Sequence, residues 1–173
     1  MSDVKIDEAV NIIRDAGGKI VGRTRLQKIA YLLMVTGLDN SFRFAYKHYG
    51  PFSEQLAFSA KFGALFGALV EHQDKTAWGA MYSTYTVAAG VDTVEANPRH
   101  LLASIAVEAD SIELELAATA VFLFRDGYDD AWKETAQRKP EKSTKVRLAN
   151  AKKLLEQLSS VDVPIPLPDN LIH

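Results

Sequence analysis

Arg43 and His48 are the residues whose types and spacing come nearest to chemistry. Standing as R-x4-H, they would have to share one helix face to act as a pair. The segment that holds it argues otherwise. Phe42, Phe44 and Tyr46 stand in alternation, the period of a half-buried strand, the run ends at Gly50-Pro51, and an apolar Phe44 directly follows the arginine. Glu108 and Glu115, seven positions apart on one helical face, could do paired acid–base work, but nothing in the sequence desolvates them and a solvated polar face is the simpler reading. His48, His72, His100 and His173 are scattered, and no two have the spacing of metal ligands. The chain has no cysteine, which removes thiol catalysis, disulfides and cysteine-based zinc sites together. It also lacks GxGxxG, the P-loop, the GxSxG elbow and HExxH. These residues assign no catalytic role, no cofactor and no metal, and the expected function is not enzymatic.

The strongly patterned part of the chain lies elsewhere, in Gly22-Arg-Thr-Arg-Leu-Gln-Lys-Ile-Ala-Tyr-Leu-Leu33 and in Tyr49-Gly-Pro-Phe-Ser53. Thr24 and Gln27 stand in the relation of a capping box, predicting a helix that starts there and stops at Gly37. Leu26, Ile29, Ala30 and Leu33 form one stripe and Tyr31, Leu32 and Val35 make the other side apolar, the pattern of a buried helix. Arg23, Arg25 and Lys28 crowd its first turns, where the helix dipole favours acids. Two readings of these cations stand side by side: solvated surface charge, or a contact for a partner. Tyr49-Gly-Pro-Phe reads as a tight turn, and Ser53 as the N-cap of the next helix.

Taken in order, the pattern predicts a helix over about Asp3 to Ala16, a short extended bridge Lys19–Val21, the buried helix, the turn, and a third helix from Ser53 to about Glu71. A loop over Gln73–Ala80 precedes a strand Met81–Val87, which would pair with Val91–Val94 or with residues near Trp78. Helices are then expected over Arg99–Phe124 with a break near Asp110-Ser111, over Ala131–Gln137 and over Thr144–Leu158, before an extended proline-rich tail. The fold class is mainly α with a small β element: a winged-helix-like half over residues 1–95, then a C-terminal helical region over residues 96–173, together forming one compact unit.

The 173 residues suffice to bury a core unaided, and 47% hydrophobic with 24% charged residues is ordinary for a soluble globular protein. The acidic start lacks an apolar h-region and no run approaches a membrane-spanning length, so a cytoplasmic protein without a membrane partner is expected. Net charge is −2, unevenly spread: acids are missing from Ala16 to Leu38 and cluster between Gly90 and Asp130, and bases cluster between Lys133 and Lys153. Such asymmetry marks an anionic partner or complementary halves of one fold. Lys139, Lys142, Lys145 and Arg147 could hold a phosphate backbone, or form a solvated connector.

Arg25-Leu-Gln-Lys-Ile-Ala-Tyr-Leu-Leu33, followed by Phe44-Ala-Tyr-Lys-His-Tyr-Gly-Pro-Phe-Ser53 and Leu56, resembles the Panacea domain superfamily. The superfamily includes SocA-like antitoxins, and the form Gly22-Arg-Thr with Gly-Pro-Phe-Ser is similar to its YwgA-like branch of bacterial proteins. The likeness covers about residues 3–72. It implies a helical fold with a small β element, no catalytic residues, and a role in neutralising a toxin or presenting it to a protease. By that resemblance Leu26, Gln27, Gly50 and Pro51 are structural signature positions. Arg23, Arg25, Lys28, Lys47 and Tyr49 are the candidates for contacting a partner protein or nucleic acid. A winged-helix DNA-binding regulator is the alternative, although the helix from Ser53 offers few base-reading side chains. The R-x4-H pair resembles that of HEPN-type ribonucleases, the remaining enzymatic alternative. A homodimer through the long acidic helix is a further expectation.

Overall fold

The computed structural model describes residues 4–88 and 96–173. The expected pairing partner Val91–Val94 and Asp3, the first residue of the expected opening helix, lie outside them. The elements are α1 (Ile6–Asp15), β1 (Lys19–Val21), α2 (Arg23–Val35), β2 (Ala45–Lys47), β3 (Gly50–Phe52), α3 (Glu54–Leu65), β4 (Leu69–Lys75), β5 (Met81–Val87), α4 (Pro98–Glu108), α5 (Ser111–Arg125), α6 (Ala131–Arg138), α7 (Lys145–Ser159) and the short α8 (Asp169–Ile172). The protein is mainly helical, with a three-stranded antiparallel sheet in the order β1-β5-β4 and a two-stranded hairpin β2-β3.

Two helices organise the core. α2 is buried almost without interruption from Leu26 to Leu33, and α5 from Leu114 to Val121. α5 packs against α2, α6, α7 and β3, while α2 also meets α4 and β3. The alanines Ala117, Ala118 and Ala120 are fully buried and let these neighbours approach closely. α1 contributes Ala9, Val10, Ile12 and Ile13 and closes the core from the side of α3 and α4.

Side-chain caps set most helix starts. Ser53 accepts from the Leu56 N–H at 3.2 Å, Asn97 from His100 at 2.9 Å, and Asp110 from both Ile112 and Glu113. Asp110 thus makes the expected break between α4 and α5. The expected capping box is not formed: α2 begins after Gly22, so Thr24 lies inside the helix and Gln27 turns elsewhere.

The third helix stops six residues before the expected end. Gly67 takes φ +84°, and the Ala68 N–H bonds back to Gly63 C=O while Gly67 N–H bonds to Ala64 C=O. This paired arrangement ends a helix at a glycine and sends the chain into β4. A Cβ on Gly63 would stand 3.2 Å from Leu69 Cδ1, so that position is where the returning strand touches the helix. Gln73–Lys75, the first three residues of the expected loop, are therefore strand, and Thr76–Ala80 form the turn. β4 and β5 pair from Leu69↔Val87 to Lys75↔Met81, with a turn closed by the Thr76 N–H to Ala80 C=O bond of 2.8 Å.

The alternating Phe42–Tyr46 segment yields only three residues of strand, β2, which pairs with Gly50–Phe52. The tight turn thus falls at His48-Tyr49, with Gly50-Pro51 already in the returning strand.

Candidate partner-binding groove and the junction beneath it

The signature residues converge where α2, the β2–β3 hairpin and the start of α3 meet. Gln27 is 3% exposed, and its side-chain amide takes both backbone groups of Ser53. Gln27 Nε2 donates to Ser53 C=O at 2.9 Å and Gln27 Oε1 accepts from Ser53 N–H at 2.8 Å. One buried amide thereby satisfies two backbone groups that the end of β3 would otherwise leave without partners. Leu26 sits in the core beside it.

Lys28 is wholly buried, and its ammonium donates to Pro51 C=O at 2.6 Å. Burial pushes the Lys28 pKa down to about 7; Glu115 opposes that shift, and Lys139 and Lys142 reinforce it. Glu115 is itself 2% exposed, on α5, and receives Lys142 Nζ at 2.8 Å and Lys139 Nζ at 3.7 Å. Lys139 also donates to His48 C=O at 3.1 Å, and the Lys142 ammonium stands 4.8 Å from the centre of the Tyr49 ring. Burial likewise depresses the Lys139 pKa. A single buried carboxylate thus holds lysines from the loop after α6 against the tip of the hairpin. Lys139 and Lys142 are turned inward, and in this they are neither a free phosphate-binding strip nor a solvated connector.

Above the junction opens a groove of about 1330 Å³ between the first turns of α2, the exposed side of α3 and the faces of β4 and β5. Arg23, Lys61, Phe58 and Met81 line it, with Lys28 at its floor. Arg23 is largely exposed and pairs with Glu71 at 3.1 Å. Burial raises the Glu71 pKa, but hydrogen bonds from Ser83 and Arg23 outweigh it and leave the carboxyl below its ordinary value. Arg25 is held down: its guanidinium donates to the carbonyls of Val21, Val107 and Ala109, tying α2 to the end of α4.

The five expected contact residues therefore separate. Arg23 and Tyr49 line the groove and keep exposed surface, whereas Arg25 and Lys28 are structural ties and not solvated surface charge. Lys47 lies on the hairpin, exposed, 3.5 Å from Glu54. Arg43 and His48 flank β2 in extended chain and a turn, so they share no helix face. Glu108 and Glu115 fall on different helices, one exposed at the end of α4 and the other buried. Sequence reasoning missed Glu115 as a buried anchor. Its signal was present in Leu114-Glu-Leu-Ala-Ala118: an acid inside a helix that is apolar on every side has to be buried and paired.

Among the described residues no group of three or more His, Asp or Glu is placed to hold a metal ion, and no helix is long and apolar enough to cross a membrane. In comparisons with known proteins, no family model, no curated protein and no solved structure matches the chain.

Proposed function

We propose that this chain is a non-enzymatic interaction protein of the Panacea type, an antitoxin or proteolytic adaptor that neutralises or presents a partner protein. The observation that carries the reading is the outward face of α3. Phe58, Phe62, Leu65 and Phe66 recur at helical spacing on one side, and Phe58, Leu65 and Phe66 are 54%, 70% and 71% exposed. The β4–β5 hairpin also exposes Val70, Trp78 and Met81, with Val70 and Met81 on opposite faces by the strand register. Large apolar side chains exposed along one side of a helix mark an interaction surface. The sequence resemblance to antitoxins supports the same reading.

A winged-helix DNA-binding regulator is the second reading, favoured by the element order α1-β1-α2-β2-β3-α3-β4-β5 and by the sheet order β1-β5-β4. In that arrangement α3 would enter the major groove. Its outward side chains are phenylalanine and leucine, its first turn carries Glu54, and Gln55 is engaged by the Arg43 N–H. Base readout calls for arginine, lysine, asparagine or glutamine at base edges, so the face favours a protein partner.

The test is co-expression with the product of the adjacent gene. That product arrests growth alone, this chain relieves the arrest and co-purifies with it, and Phe66→Asp abolishes both effects. A harmless neighbour that does not co-purify would overturn the reading. Salt-sensitive binding to duplex DNA, lost in an Arg23→Glu/Lys61→Glu variant, would favour the regulator instead.

A further inference from the structure

We propose that the groove between α2, α3 and the β4–β5 hairpin receives an apolar segment of a protein partner that carries acidic side chains. This deepens the interaction reading above and rests on it. The argument is charge complementarity combined with apolar walls. Of the charged side chains lining the groove, Arg23, Arg25, Lys28 and Lys61 are bases, and Glu71 is the one acid. Glu71 is already occupied, accepting from Arg23 at 3.1 Å and from Ser83 Oγ at 2.7 Å. Arg25 and Lys28 are tied to backbone carbonyls, so the excess positive charge that a ligand can reach rests mainly on exposed Lys61, which forms no ion pair among the described residues, although the chain as a whole carries −2. Val21, Phe58 and Met81 expose 44%, 54% and 56% of their surface around it. A nucleic-acid backbone would use the charge and leave these side chains wet. A peptide with leucine or phenylalanine anchors and neighbouring aspartate or glutamate uses both. At about 1330 Å³ the space exceeds the usual range for small-molecule pockets, which suits several residues of chain.

The experiment measures fluorescence anisotropy of a labelled panel of twelve-residue peptides. Each has Leu, Phe or Met at every third or fourth position, with Asp and Glu between in one set and Lys in the other. The full chain is titrated into each, with a random duplex DNA as a third probe. Acidic peptides are expected to bind and lysine peptides are not. Lys61→Glu and Phe58→Ala should each weaken binding, the two together by about tenfold or more, with Lys61→Arg restoring it. Thermal unfolding of the variants checks that the fold is unchanged. Val146→Asp, on the exposed side of α7 and outside the groove, should leave peptide binding intact. Equal binding of both peptide sets, no binding of the acidic set, or insensitivity to Lys61→Glu overturns the inference. Duplex DNA displacing the peptide with greater affinity overturns it in favour of a nucleic-acid groove. If acidic peptides fail while the partner still co-purifies and is lost with Phe66→Asp, the interaction reading stands and only the groove's occupant is wrong.

Discussion

The side chain of Gln27 and the backbone of Ser53 form a closed two-bond pair, 2.9 and 2.8 Å, that ties the middle of α2 to the start of α3. Ser53 is also the N-cap of α3, so one residue links the hairpin, the helix start and α2. The pair needs a donor and an acceptor on one side chain. Gln27→Glu replaces the donor with an oxygen facing Ser53 C=O, and Gln27→Leu removes both partners. Each is expected to cost about 2–4 kcal/mol, because buried backbone groups are left without partners. Urea unfolding measures it, and a loss below about 0.5 kcal/mol for Gln27→Leu would show that the pair is dispensable.

Gly50 has φ +88°, and a Cβ built there would overlap the hydroxyl of Thr119 on α5. The Thr119 Oγ1 is buried without a hydrogen-bond partner. Two separate penalties therefore fall on Gly50→Ala: left-handed backbone strain of about 1–2 kcal/mol, and a steric clash. Thr119→Ala removes the clashing oxygen and an unsatisfied polar atom, so alone it is expected to be near neutral or stabilising. In the double variant the clash disappears and the backbone strain remains. A double-mutant cycle should show favourable coupling of about 1 kcal/mol or more. Strict additivity would mean that α5 does not set the glycine requirement.

The buried lysines make stability depend on pH in a definite direction. An unfolded lysine titrates at about 10.4, whereas burial in the fold brings Lys28 down to about 7. Between those values the unfolded chain holds more protons, so this group's contribution makes stability rise as pH increases from 7 toward 10, with a slope approaching about 1.4 kcal/mol per pH unit. Below pH 7 both states are charged and the penalty is fully present. Lys139, also depressed by burial, acts with the same sign. Lys28→Met keeps the volume without the charge. It should match or exceed the native chain at pH 7 and lose its advantage by pH 9, while parallel pH profiles would rule out a depressed Lys28. Glu115→Gln acts oppositely, leaving Lys139 and Lys142 without their counter-ion at a cost of about 3 kcal/mol or more.

How much of this arrangement could be read beforehand depends on whether an interaction is local. α2, the Asp110 break, the Ser53 cap and β5 rest on short-range patterns, and they stand near their expected places. The end of α3 depended on which of two glycines terminates the helix. Gly63 and Gly67 have the same neighbours in kind, but Gly63 stays helical against Leu69 and Ile6 while Gly67 takes the positive φ that ends the helix. The Gln27 and Lys28 assignments went wrong for one reason. Local rules offered them a cap and a surface, while their partners, Ser53, Pro51 and Glu115, lie far along the chain. Arg23 kept its exposure because Glu71 meets it at the rim of the sheet and not inside the core.

Arg99 supplies a last case of a long-range tie, and a test of it. At the start of α4 its Nε donates to Asp15 at 2.8 Å, and its Nη1 donates to Asp39 at 3.0 Å and to Leu38 C=O at 3.2 Å. Asp15 and Asp39 are each 8% exposed. One guanidinium thus joins the end of α1, the chain after α2 and the start of α4. Arg99→Ala strands two nearly buried acids and is expected to cost about 2–4 kcal/mol. Arg99→Lys keeps the charge but has no planar fork to span both acids, so it should recover only part of that loss. Adding Asp15→Asn and Asp39→Asn to Arg99→Ala removes the stranded charge and should restore stability relative to the single variant. Urea unfolding of the set at pH 7 decides the matter. If the triple variant is less stable than Arg99→Ala alone, the stranded charge is not what makes the loss of Arg99 costly.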